Sequence, residues 1–177
     1  DSADNFTSIT ESKKLQIITS FYPLYEFTKI VGGERVDVEV LTPPGIEPHD
    51  WEPTIKDIQK MNQVDFVVIN GLEFEQWAKK LQNLKNVSLV DTSMGITPIM
   101  KKETDSKLMS YDPHIWLSPD TMKKQIQNIT LEMIKRDPDN AQYFKDNSKA
   151  YLKKIDNLDL KIRDRFNECM NNDFIAF

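Results

Sequence analysis

Cysteine and histidine are scarce in this chain of 177 residues. A single cysteine, Cys169, excludes an internal disulfide and every CxxC metal or redox motif. Only two histidines are present, His49 and His114, so a zinc site with three histidine ligands cannot form within one copy of the chain. There is no HExxH motif, and no GxGxxG or P-loop pattern follows a predicted strand. The usual signals of zinc proteases and nucleotide-binding enzymes are therefore missing.

Basic charge and long apolar runs are also scarce. The chain has 23 Lys and Arg against 28 Asp and Glu, and its net charge of −5 argues against nucleic acid as a partner, because phosphate binding needs a basic surface. No segment approaches the run of about 18 apolar residues that suggests a membrane span. Apolar residues make up 39% of the chain, which is typical of a folded domain. The length allows one domain, or one domain and part of another.

Strand-like and helix-like segments alternate from residue 15 onward. Apolar segments predict strands at residues 15–20, 36–41, 65–71 and 87–91. Helical spacing predicts helices between them, at residues 22–31, 54–62 and 75–84. Because strands that alternate with helices form parallel sheets, we predict the α/β class, with a parallel four-stranded sheet and flanking helices. Residues 94–112 are predicted to be a long polar connection, with a mobile KKETDSK segment.

Two more helices are predicted after this connection. Ser118 as N-cap and Pro119 at the first helical position begin one of them. The other covers residues 141–168 and would be about 42 Å long, so we expect a strut that leads to another lobe. The predicted parts are a flexible leader at 1–14, an N-terminal α/β metal-binding lobe at 15–136, a long inter-lobe helix at 137–170 and the start of a truncated C-terminal lobe at 171–177.

The two histidines lie in similar local sequences. His49 belongs to PPGIEPHDWEP, after the second predicted strand, and His114 belongs to YDPHIWLSP. In a parallel sheet both loops leave from the carboxyl edge, where open α/β folds bind ligands, and a proline restricts the backbone before each histidine. Two imidazoles at that edge could share one metal ion, or they could be unrelated loop residues. The nearby acids, for which we expect supporting or solvated roles rather than metal ligation, are Asp50, Glu52 and Asp112.

Four segments together resemble the zinc- or manganese-specific solute-binding proteins of ABC importers. They are ITSFYPLYEFTKIVGG, LTPPGIEPHDWEPT, DFVVINGLEFEQW and DPHIWLSP, and the likeness covers about residues 15–177. The resemblance implies two α/β lobes joined by a long rigid helix, with a metal ion in the cleft and His49 and His114 as its first two ligands. It implies an extracytoplasmic protein, tethered through its leader or free, that is not an enzyme and delivers a divalent ion to a membrane ABC permease. The expected ion is Zn²⁺, with Mn²⁺ as the alternative.

The resemblance also implies ligands that this chain does not contain. In that family the third ligand, a His or Glu, follows the strand that opens the second lobe, and the chain ends at Phe177. We therefore expect metal binding that is weaker than in a two-lobe protein, and two copies that either share an ion or self-associate through the exposed second-lobe edge. We also expect the far half of the long helix to face water, so that its last turns either fray or pack against a second copy. The other functions considered are a metallohydrolase, which would need a third ligand and a general base, and a metal-independent surface adhesin on the same scaffold.

Overall fold

The computed structural model describes residues 13–81, 86–102 and 109–169. At its centre is a sheet of four parallel strands in the order β2-β1-β3-β4. The strands are β1 Leu15–Thr19, β2 Val36–Val40, β3 Phe66–Ile69 and β4 Leu89–Asp91. Ile17 of β1 pairs with Val38 on one side and with Phe66 on the other, so β1 and β3 are the inner strands. The prediction of an α/β fold with a parallel four-stranded sheet is confirmed.

Helices cover both faces of this sheet. In the described part of the chain they are α1 Tyr22–Gly32, α2 Ile55–Met61, α3 Ala78–Leu81, α4 Pro119–Arg136 and α5 Ala141–Glu168. Ile17 and its neighbour Ile18 point to opposite faces, because successive residues of a strand alternate. Ile17 belongs to a core shared with α1, α4 and α5, whereas Ile18 belongs to a second core shared with α2 and α3.

The helix starts follow the local sequence. Thr54 begins α2 with a capping box: its hydroxyl accepts the Asp57 N–H at 3.3 Å, and the Asp57 carboxylate accepts the Thr54 N–H at 2.8 Å. Pro119 occupies the first turn of α4 as predicted, and Ser118 is the N-cap residue by position, although its side chain makes no capping hydrogen bond. The hydroxyl of Thr121 instead donates to the carbonyl of Ile115, which ties α4 to the short 3-10 helix Ile115–Leu117.

Two predictions about local structure are wrong. The helix expected at 75–84 begins three residues later, at the first residue of α3, and a turn of Gly71, Leu72 and Glu73, all with left-handed backbone conformations, comes before it. Residues 82–84 of the expected helix lie outside the described residues. The connection at 94–112 contains an antiparallel hairpin, with strands β5 Met100–Lys102 and β6 Met109–Tyr111. The last five residues of the KKETDSK segment, 103–107, lie outside the described residues.

The long helix α5 has two dissimilar halves. Phe144 and Ile155 are only 0% and 3% exposed, since they pack against α1 and α4, whereas Leu158 is 47% and Phe166 is 63% exposed. The expectation that the far half faces water is therefore confirmed within α5 as described. The predicted strand at 173–177, and the leader except for its last two residues, lie outside the described ranges. Within those ranges, no helix is long and apolar enough to cross a bilayer.

Candidate metal centre

His49 and His114 meet at the carboxyl edge of the sheet. His49 lies in the loop between β2 and α2, and His114 lies between β6 and the 3-10 helix Ile115–Leu117. Their Nε2 atoms are 3.4 Å apart, although the residues are 65 positions apart in the chain. Sequence reasoning placed both histidines at this edge, and in the structure their ring nitrogens face each other.

The distance between the two nitrogens suits a shared metal ion. Zinc lies about 2.0–2.1 Å from a histidine nitrogen, so two nitrogen ligands of a tetrahedral zinc ion are about 3.3 Å apart. The observed 3.4 Å is close to this value, and it is long for a direct hydrogen bond, for which about 2.9–3.0 Å is usual. The arrangement can therefore accept an ion between the rings without a large movement of either loop.

Asp112 fixes the orientation of the His114 ring. Its Oδ1 lies 2.6 Å from His114 Nδ1 and 3.1 Å from the His114 backbone nitrogen, and both nitrogens point toward it as donors. A carboxylate at Nδ1 holds the proton on that nitrogen, which leaves the lone pair on Nε2 facing His49. The contact is of the kind that a supporting role for Asp112 requires, and it leaves His114 Nε2, and not Nδ1, available toward His49.

His49 is held by ring contacts. It is exposed, and its ring lies edge-on to Phe74 with the centroids 4.4 Å apart. Phe74 is 3% exposed and packs in turn against Phe21 and Trp116. These packed aromatic rings therefore limit how far the His49 ring can move toward the sheet.

The other candidate residues are placed away from the histidine pair or face solvent. Glu52 makes an ion pair with Lys80 at 3.0 Å, and Asp50 is exposed. Trp51, two residues after His49, packs edge-on to Trp77 at 6.0 Å in the second core. Among the residues that the structure describes, no group of three or more His, Cys, Asp or Glu is placed to hold a metal ion.

Sequence reasoning missed a buried polar network beneath the histidines. The carboxylate of Glu75 is turned inward and accepts hydrogen bonds from Ser20 Oγ at 2.6 Å and from the Asn70 N–H at 2.7 Å. Burial raises the pKa of Glu75, although the hydrogen bonds from Ser20, Asn70 and Gly71 act in the opposite direction. The sequence signal that could have found this network is the polar Asn70, which directly follows a fully buried strand.

Comparison with known proteins identifies the family. The model of the family described as "Zinc-uptake complex component A periplasmic" (ZnuA) matches residues 17–177. The high-affinity zinc uptake system protein ZnuA of Bacillus subtilis (strain 168) is 36% identical, over 94% of this chain and 56% of that protein. The manganese-binding lipoprotein MntA of Halalkalibacterium halodurans is 32% identical, over 92% of this chain and 53% of that protein. The chain thus spans about half the length of these curated relatives.

Solved structures show the same architecture. The metal-dependent lipoprotein YcdH from Bacillus subtilis superposes with a TM-score of 0.81 at 38% identity, over 91% of this chain and 59% of that one. A zinc-bound deletion mutant of ZnuA superposes with a TM-score of 0.84 at 34% identity, over 93% of this chain and 63% of that one. The chain belongs to the family of periplasmic zinc-uptake component A, ZnuA.

Proposed function

We propose that this chain captures a divalent transition metal ion outside the cytoplasm, and that His49 and His114 are two of the ligands. The observation that carries the proposal is the 3.4 Å separation of their Nε2 atoms, which suits two ligands of one tetrahedral ion. The ion passes from this protein to a membrane ABC permease. Zinc-uptake and metal-binding lipoprotein relatives support this role.

Zinc is the ion that we assign to the pair. Imidazole nitrogen suits zinc, whereas manganese favours carboxylate and water ligands. The acids of the two loops are engaged elsewhere or solvated: Asp112 is bonded to His114 Nδ1, and Glu52 is paired with Lys80. The remaining coordination positions of the ion are open to water in this proposal, because His49 lies at the surface.

The proposal includes no catalytic step. A metal-dependent hydrolase needs a third protein ligand and a positioned general base. No third His, Cys, Asp or Glu joins the pair in the part of the chain that the structure describes. Cys169 is exposed at the end of α5, and its thiol donates to the Arg165 carbonyl at 3.3 Å.

Calorimetric titration of the chain with Zn²⁺ and with Mn²⁺ tests the proposal. We expect His49→Ala and His114→Ala each to weaken Zn²⁺ binding by at least about a hundredfold, because direct ligands matter more than the groups that orient them. If the two histidines share one ion, the variant with both substitutions should bind Zn²⁺ only slightly more weakly than either single variant. Cys169→Ser is the control for zinc bound at the free thiol, and it should bind as the unaltered chain does.

The outcomes separate the candidate functions. If either histidine can be replaced without loss of Zn²⁺ affinity, the shared site is contradicted. If the chain binds neither Zn²⁺ nor Mn²⁺, it behaves as the adhesin alternative predicts. Turnover of an ester or peptide in the presence of zinc would favour a hydrolase. Size-exclusion chromatography with and without Zn²⁺ shows whether one copy holds the ion or two copies share it.

A further inference from the structure

Asn70 stands at the end of the inner strand β3, directly beneath the two histidine loops. The residue is 0% exposed, and its side-chain Nδ2 donates to the carbonyl of Pro113 at 2.9 Å and to the carbonyl of Gly71 at 3.2 Å. Because both partners are carbonyl oxygens, which only accept hydrogen bonds, the side-chain atom that faces them is the NH₂ nitrogen of Asn70. Pro113 immediately precedes His114, so the hydrogen bond ties the sheet to the peptide that carries a proposed ligand.

The other atoms of Asn70 are anchored as well. Its Oδ1 accepts from Gln125 Nε2 of α4 at 3.0 Å, and its backbone N–H donates to Glu75 Oε1 at 2.7 Å. The same Glu75 oxygen accepts from Ser20 Oγ, at the end of β1, at 2.6 Å. Because both inner strands and a helix restrain Asn70, it can act as a rigid support for the Pro113 carbonyl.

Asn70 also begins the turn that supports the other histidine. Gly71, Leu72 and Glu73 follow it with φ values of 87°, 53° and 62°, all left-handed, and the turn delivers Phe74. The Phe74 ring packs on His49 at 4.4 Å. A left-handed conformation is unfavourable for a residue other than glycine, so the turn persists only while its surroundings hold it. Part of that restraint is the Gly71 N–H bond to Glu75 Oε2, at 3.2 Å.

We propose that Asn70 is a positioning residue of the metal site, which sets the separation of the His49 and His114 nitrogens by holding the Pro113 carbonyl on one side and starting the Phe74 turn on the other. The inference rests on the proposed function. Groups that touch a ligand without binding the ion commonly change metal affinity by about 10- to 100-fold when altered.

The test replaces the amide donor and leaves the acceptor. Asn70→Asp keeps an oxygen for Gln125 but turns a carboxylate oxygen toward the Pro113 carbonyl. Asn128→Asp is the matched control, because Asn128 Nδ2 also donates to two backbone carbonyls, those of Thr92 and Met94, both at 2.9 Å, away from the histidine loops. Co²⁺ is the probe, with its affinity measured by chelator competition and its coordination by visible absorption.

We expect Asn70→Asp to weaken Co²⁺ binding about tenfold and to change the intensity of the ligand-field bands, and Asn128→Asp to stay within about twofold with an unchanged spectrum. Urea unfolding without metal, measured on both variants, separates a loss of stability from a change in coordination. Affinity and spectrum like those of the unaltered chain in Asn70→Asp would overturn the proposal. If the unaltered chain binds Co²⁺ no better than His49→Ala or His114→Ala, the proposed function fails instead.

A measurement on the unaltered chain covers the case in which Asn70→Asp does not fold. Nuclear magnetic resonance follows hydrogen exchange of the side-chain amide protons of Asn70 and, as an internal reference, of Asn128. Metal bound between the loops should slow exchange at Asn70 at least fivefold and leave Asn128 unchanged. Equal exchange at Asn70 with and without Zn²⁺, in a chain that binds the ion, would contradict the positioning role.

Discussion

The loops that carry His49 and His114 have similar sequences but are held in different ways. The His114 loop is bonded to Asp112 through both the ring and the backbone, and to the buried amide of Asn70 through the Pro113 carbonyl. The His49 loop is bonded to the sheet where it begins, since the Thr42 N–H donates to the Ser20 carbonyl at 3.0 Å. The backbone hydrogen bonds nearer to His49 are local, from the Ile46 N–H to the Pro43 carbonyl and from the Asp50 N–H to the Glu47 carbonyl, both at 3.2 Å. A proline precedes each histidine, so the difference arises from tertiary contacts.

Because the two loops are held differently, we expect the two histidines to have different roles in the proposed site. A ligand that is already oriented loses little conformational entropy when the ion binds, whereas an exposed loop loses conformational entropy because it becomes ordered on binding. His114 is oriented in advance, and His49 can adjust within the space that Phe74 leaves. Substitutions beneath the His114 loop should therefore matter more than equivalent substitutions in the His49 loop.

The largest difference is expected between two glycines. Gly71 and Gly45 both have positive φ, at 87° and 82°, but a Cβ on Gly71 would overlap the side chains of Asp91 and Ser93, whereas a Cβ on Gly45 would meet nothing within 4 Å. We expect Gly71→Ala to lower the free energy of unfolding by about 3 kcal/mol, and Gly45→Ala by about 1–2 kcal/mol from backbone strain alone. Urea titration measures both, and equal losses would show that the Gly71 turn can relax.

A smaller effect is expected from the acids beside the histidines. Asp112→Asn keeps an oxygen at His114 Nδ1 but removes the charge, and we expect Zn²⁺ affinity to fall about tenfold, or about 1.4 kcal/mol. Asp50→Asn changes an exposed acid next to His49 and should leave the affinity within about twofold. Calorimetry on the two variants compares the loops directly. A larger loss in Asp50→Asn would reverse the assignment of the pre-oriented histidine.

The smallest expected effect is the pH dependence of stability that arises from Glu75, which lies beneath both histidine loops. Because burial raises the pKa of Glu75, the folded chain retains a proton that the unfolded chain releases above about pH 4.3. This residue's contribution to stability is therefore full below that pH and decreases as the pH rises through the higher folded-state pKa. Relative to Glu75→Gln, the free energy of unfolding of the unaltered chain should fall with pH, by less than about 1.4 kcal/mol per pH unit.

Urea titrations of both chains between pH 4 and pH 7 measure this difference. The pH dependence due to all other titrating groups is the same in both chains, so it cancels when the Glu75→Gln value is subtracted at each pH. A difference between the two chains that stays constant over this range would show that Glu75 releases its proton at the same pH in the folded and unfolded states.

Much of the fold could be predicted because it follows from local patterns. The apolar strands and the alternation of strand and helix predicted the parallel sheet, and Pro119 marked the start of α4. The errors have local causes too. The charged and amide residues after Glu75 favour a helix, but the buried hydrogen bonds of Glu75 and the left-handed turn outweighed that preference.

The sequence by itself determined that His49 and His114 leave the sheet at one edge, since parallel strands bring all their carboxyl ends to the same side. Only the tertiary structure decided that their nitrogens stand 3.4 Å apart and that Asp112 leaves the Nε2 lone pair of His114 free. The separation depends on contacts between distant parts of the chain, such as the bond from Asn70 to Pro113, 43 residues away. Such contacts form only after the sheet and helices have packed, and no local pattern encodes their length.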